Sequence, residues 1–269
     1  MKSRSSGKRG GRGARLGQHF LTNSHYAAAL AKAVGILPGE AFLEIGPGTG
    51  ALTLELLKHG PVVAIEKDAM LIELLQKKFA GDIASGRLRL VGEDVRNSSP
   101  EGLGLGPYVV AANIPYYITG EIIRQFLTAS HQPRAMALLI QKEVAERILA
   151  RDGKESILSL SVKAYGTPRI IAKVGRGNFS PPPSVDSAIL LIEAVSRDRF
   201  VDVSEAVFFR TVRAGFASKR KFLANNLAAI FAKAPVTNAL AACGISEKSR
   251  AEDIPLDAWF ELSRYFRTA

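Results

Sequence analysis

Three glycines, two acids and one Asn-Ile-Pro-Tyr run are spaced along the first half of the chain as a small-molecule site requires. In Glu44-Ile45-Gly46-Pro47-Gly48-Thr49-Gly50 the glycines alternate, and such a loop turns tightly and lets backbone approach a nucleotide-type ligand. A dinucleotide loop reads G-x-G-x-x-G, with a helix start cradling a pyrophosphate. The G-x-G-x-G spacing of Gly46, Gly48 and Gly50 suits S-adenosylmethionine better, which has no pyrophosphate to cradle. Glu66, twenty residues after Gly46, is placed to accept hydrogen bonds from both ribose hydroxyls. Asp94 is placed to accept from the cofactor's adenine amine, although Glu93 beside it is a second candidate.

Asn113-Ile114-Pro115-Tyr116 carries a different chemistry. An adenine amine is a poor nucleophile because its lone pair is delocalised into the ring. Acceptors that hold the two amine protons favour the geometry in which that pair points at a methyl donor. The Asn113 side-chain carbonyl and the Ile114 main-chain carbonyl can do this, Pro115 stiffens the turn, and Tyr116 can stack on the base. Phe179, on the proline-rich run to Pro183, is a candidate to cover the other face, with core packing as its competitor. Displacement at a sulfonium rests on positioning and electrostatics and requires no metal. A base in folded RNA must leave its stack to be modified, which two aromatic faces would partly offset.

The elements that must position these residues alternate. Helical spacing covers 24–34, apolar strands 41–45, 61–65, 87–91, 108–112 and 135–140, and helices 52–58 and 69–79. A closing strand spans 187–195, and the chain turns helical from 202. This predicts an α/β fold, a Rossmann-like, mostly parallel doubly wound sheet with a small all-helical C-terminal domain. Residues 1–15 form a basic tail, 16–197 the sheet domain and 198–269 the helical domain. Glycine loop and acids then share the carboxyl edge of the sheet, where such folds bind ligands.

Composition sharpens the choice of partner. The net charge of +11 is concentrated in two acid-free blocks, residues 1–19 and 210–221, which hold six and five cations. Together they account for the whole excess, which points to a polyanion. Arg213, Lys219, Arg220 and Lys221 in the second block are the candidate RNA contacts. No apolar run approaches the ~20 residues of a membrane helix. The single Cys243 cannot form an internal disulfide. A cytoplasmic monomer is expected; an acid-poor, Arg- and Ser-rich start also permits an organelle-targeting role for the tail.

Gln18-His19-Phe20-Leu21, Glu44 to Gly50, Asn113 to Tyr116, Gln141 to Ala145, Phe179 to Ala188 and Arg213 through Leu227 follow one another as landmarks. In this order the chain resembles the KsgA-type rRNA adenine dimethyltransferases. The resemblance implies transfer of two methyls to each of two adjacent adenines in a hairpin loop of small-subunit rRNA, within an immature ribosomal subunit. It also implies that Gln18, His19 and Leu21 join Gly46, Gly48, Gly50, Glu66, Asp94 and Asn113 around the cofactor. Gly92-Glu93-Asp94 departs from the family's Gly-Asp pair, and Gly153 to Ser161 replaces its tyrosine-glycine signature. The alternatives are an Erm-type enzyme acting on large-subunit rRNA and a non-catalytic nucleic-acid-binding factor on the same fold.

Overall fold

The computed structural model describes residues 19–267, so Gln18 and the basic tail lie outside the described residues. The chain begins with β1 (Phe20–Leu21) and α1 (Ser24–Val34), whose start is capped by the Asn23 side chain accepting the His25 amide. Strands and helices then alternate through β2 (Ala41–Ile45), α2 (Ala51–Leu56), β3 (Val62–Glu66), α3 (Ala69–Lys78), short α4 (Ala80–Ala84) and β4 (Leu88–Gly92). Next come β5 (Tyr108–Asn113), α5 (Thr119–Leu127), β6 (Met136–Gln141), α6 (Lys142–Leu149), α7 (Ile157–Lys163), β7 (Thr167–Val174), β8 (Phe179–Ser180) and β9 (Ser187–Glu193). Four helices follow: α8 (Glu205–Gly215), α9 (Leu223–Phe231), α10 (Lys233–Ala242) and α11 (Leu256–Arg264).

Seven strands form the main sheet in the order β4-β3-β2-β5-β6-β9-β7. Pairing is parallel from β4 to β6, whereas β9 runs antiparallel to both its neighbours. The chain moves outward from β2 to β4 and then returns to place β5 on the other side of β2. That reversal opens a crevice at the carboxyl ends of β2 and β5, the position where open α/β sheets take ligands. Alternate residues feed two apolar layers. Phe42, Ala64 and Val109 join the layer with α1, α2 and α3; Leu43, Ile65 and Val110 join the layer with α5, α6 and α7.

The expected strands and helices are present with bounds within about two residues. β7 is an addition. It sits at the sheet edge, carries Pro168 near its start and breaks register between Ile170 and Ala172, devices that suit an edge strand.

Sheet gives way to helices after β9, and the apolar layer continues across that change to Phe208, Trp259 and Phe266, all buried. Arg197 stands at the junction. It donates to Glu205 at 2.5 Å and to the carbonyls of Thr128 and Ala129 at 3.0 and 2.8 Å, while the Tyr165 hydroxyl donates to Glu205 at 2.7 Å. Gly215 lets α8 approach α11: a Cβ there would run into the Trp259 ring.

Candidate active site

The carboxyl ends of β2, β3 and β5 and the turn after β4 surround one cleft, with about 720 Å³ of open space. Gly46, Gly48, Glu66, Asp94 and Asn113 through Tyr116 all line it, and His19 closes it from the N-terminal side. Glu93 lines it as well, so both candidate acids after β4 reach the same space.

Gly46 and Gly48 adopt φ of 66° and 57°, in the left-handed region that favours glycine. Space beside Gly46 is open, whereas a Cβ on Gly48 would stand 2.8 Å from the Phe20 ring. The Glu66 carboxylate is nearly buried. One oxygen accepts from the amides of Lys67 and Asp68 at 2.9 and 3.0 Å, and the other lies 3.3 Å from the Gly48 amide. These bonds fix its direction and leave lone pairs for a diol. Asp94 accepts from the amide and side chain of Arg96, and this guanidinium holds its carboxyl well below the usual range. Open space at Gly46 and the acids Glu66, Glu93 and Asp94 give the cleft a lining that a nucleoside cofactor could occupy.

Asn113 ends β5. Its Nδ2 donates to the main-chain carbonyl of His19 at 2.9 Å, which settles which way the carboxamide faces. Among the described residues nothing donates to Asn113 Oδ1 or to the Ile114 carbonyl, so two acceptors remain free at one strand end. The Tyr116 ring stands 5.7 Å from the His19 ring, and its hydroxyl is 2.7 Å from the Ser187 hydroxyl on β9. Burial pushes that phenol above its ordinary pKa and keeps it neutral.

His19 is itself held. Its Nδ1 donates to the Pro181 carbonyl at 2.8 Å, and β1 pairs antiparallel with β8, Phe20 opposite Ser180 and Leu21 opposite Phe179. Asn178 extends this clasp by accepting the Thr22 amide at its carbonyl and the Asn23 amide group at its side chain, at 2.9 and 2.8 Å.

Three expected residues lie elsewhere. Leu21 and Phe179 are buried in the apolar layer beside α1, because the β1–β8 ladder turns both side chains into it. Phe179 is therefore core, and the aromatic rings on the cleft are His19, Phe20, Tyr116 and Tyr117. Gly50 does not line the cleft; it starts α2 with φ 78°, and a Cβ would meet the Phe79 ring at 2.5 Å. Phe20 and Tyr117 are the contributions sequence reasoning missed, although each adjoins a residue it singled out.

Lys219, Arg220 and Lys221 are exposed on the loop between α8 and α9. Arg213 is exposed on α8 and lines a second depression, between α5, α7 and α8, together with Arg124 and Arg96. Arg96 belongs to this depression and, through Asp94, touches the cleft.

Fold and cleft together define a class I methyltransferase. The chain belongs to the ribosomal RNA adenine dimethylase family, whose model matches residues 12–268. It is 42% identical over 253 residues to the ribosomal RNA small subunit methyltransferase A of Dehalococcoides mccartyi strain CBDB1, covering 92% of this chain and 86% of that one. Its identity to the protein of the same name from Moorella thermoacetica is 36%, covering 92% and 90%. Among solved structures it is similar to the 23S rRNA methyltransferase ErmE, with TM-score 0.74, 25% identity and coverage of 91% and 98%. A dimethyladenosine transferase from Plasmodium falciparum superposes equally, with TM-score 0.74, 24% identity and coverage of 91% and 96%.

Proposed function

We propose that this enzyme transfers methyl groups from S-adenosylmethionine to the exocyclic amines of two adjacent adenines in a small-subunit rRNA hairpin loop, while the subunit is immature. The observation that carries the reading is the pair of free acceptors, Asn113 Oδ1 and the Ile114 carbonyl, beside a cleft lined by Glu66 and Asp94. Family membership and relatives named for the small subunit support it.

When bound, the cofactor supplies a methyl on a sulfonium. Glu66 takes the ribose, Asp94 or Glu93 takes the adenine amine, and the glycine loop lets backbone approach. Asn113 Oδ1 and the Ile114 carbonyl would accept hydrogen bonds from the N–H groups of the target amine, so that its nitrogen lone pair is held toward the methyl donor. Tyr116 stacks on the base with its hydroxyl anchored at Ser187. Lys219, Arg220, Lys221 and Arg213 contact phosphates from the helical part, which serves as the RNA-docking domain. The protein works as a monomer in the cytoplasm.

The decisive experiment offers labelled cofactor with immature small and large ribosomal subunits and maps the methylated nucleotide. Label in two adjacent small-subunit adenines is expected. Label in a single large-subunit adenine would establish the Erm-type alternative, which the similarity to ErmE keeps in view. Absence of label with retained RNA binding would establish the non-catalytic factor.

A further inference from the structure

Arg96 lies between two sites. Its main-chain amide and Nε donate to Asp94 Oδ1 at 3.1 and 3.0 Å, and its Nη2 donates to Oδ2 at 2.7 Å. A carboxylate offers roughly four acceptor positions, and a bidentate guanidinium is the strongest neutral-pH partner it can have. Arg96 therefore engages both oxygens of the acid that faces the cofactor cleft, and Lys67 Nζ lies 3.7 Å from Oδ2, the oxygen that Arg96 Nη2 already holds. Yet Arg96 is not sequestered. Its side chain is 42% exposed and lines the depression it shares with Arg124 and Arg213. Glu121 is the acid of that depression, so three cations face it against one carboxylate.

We infer that Arg96 couples the two sites, exchanging Asp94 for a phosphate of the docked RNA and so freeing the carboxylate for the cofactor's adenine amine. The inference rests on the reading above, in which the cleft takes S-adenosylmethionine and Arg213, which lines the depression, contacts RNA phosphate. The exchange is physically balanced. A guanidinium fork fits phosphate as well as it fits carboxylate, so one charge-assisted pair replaces another at small net cost. What changes is Asp94, which regains acceptors and uncompensated charge. Because coupling of equilibria is reciprocal, bound cofactor must tighten RNA by the same factor as bound RNA tightens cofactor. Cofactor-loaded enzyme is then favoured on the substrate.

The test uses S-adenosylhomocysteine, which has no methyl to transfer, so that binding alone is read. Its Kd is measured by equilibrium dialysis for the full chain, free and saturated with immature small subunits. Wild type is expected to bind about five- to tenfold more tightly with subunits present, in the range usual for coupled sites. Arg96→Gln is expected to bind tightly in both states, so the ratio falls to near one. Arg96→Lys, which keeps the charge but loses the fork, is expected to fall between.

The inference is overturned if Arg96→Gln keeps the wild-type ratio. It is equally overturned if Arg96→Gln weakens cofactor in the RNA-free enzyme, since Arg96 would then support Asp94 rather than compete for it. The RNA-free arm reads this even if wild type binds no subunits, an outcome that defeats the functional reading instead. A variant neutral at Lys219, Arg220 and Lys221 serves as the control: it loses RNA affinity and keeps the coupling ratio once saturated.

Discussion

The Asn113 carboxamide and the His19 carbonyl, 94 residues apart in sequence, meet at 2.9 Å, and this bond decides which face of the amide looks into the cleft. Asn113→Ala removes the free acceptor and is expected to abolish methyl transfer, with cofactor affinity changed by less than about tenfold. Asn113→Asp keeps an acceptor but cannot donate to His19, and it too is expected to lose most turnover. Single-turnover transfer beside equilibrium cofactor binding checks both; turnover at the wild-type rate in either variant rejects the assignment.

Asn178 acts at a distance from the chemistry. Its side chain accepts from Asn23 and donates to the Gly175 carbonyl, each at 2.8 Å, and thereby steadies the segment that presents His19. Asn178→Ala is expected to lower kcat about threefold or more while stability shifts by about 1 kcal/mol, the usual effect of one lost hydrogen bond. A purely structural residue would move the unfolding midpoint and leave kcat per folded molecule intact.

The loop of Lys219, Arg220 and Lys221 is exposed and acid-free, suited to phosphate. Replacing all three by Gln is expected to weaken RNA binding and to flatten its salt dependence, since each lost contact removes counterion release of ~0.7–0.9 in the log–log slope. The same slope in wild type and variant would place the docking surface elsewhere.

Glu44 on β2 predicts a pH dependence. Its two oxygens are buried without a hydrogen-bond partner beside Thr53, and burial, reinforced by the Glu66 charge, pushes its pKa up to about 8. Below its ordinary value of 4.5 the group is protonated in both folded and unfolded chains and adds no pH dependence. Between that value and about 8 the unfolded chain releases a proton the folded chain keeps, so stability falls as pH rises and levels off beyond. Glu44→Gln cannot ionise and is expected to gain stability over wild type across this window, by up to a few kcal/mol. Urea unfolding at pH 5 and pH 8.5 reads the difference; a gap that does not widen with pH excludes a buried neutral carboxyl.

How far the chain is readable without coordinates depends on how local the governing physics is. β2, β3, β5 and β6 declare themselves because a parallel strand covered on both faces is a nearly continuous apolar run, broken here only at Glu44 and at the strand ends. β7 does not, because only Val174 of its eight residues is buried and Pro168, Arg169 and Lys173 interrupt the run. The glycine loop and both acids are legible through spacing after strands. Phe179 is not, since a two-residue ladder with β1, 158 positions away for Leu21 and Phe179, decides which way the ring turns. Arg96 escapes for a similar reason: its sequence neighbourhood says nothing of α5 and α8, which make it part of a second surface.

His19 is a wall of the cleft held from two other segments, its ring by the Pro181 carbonyl and its own carbonyl by the Asn113 carboxamide. Tyr117, on the same cleft, is exposed. A small environment-sensitive dye attached at that position becomes a reporter of occupancy, whereas a bulky group there is an obstacle to whatever enters.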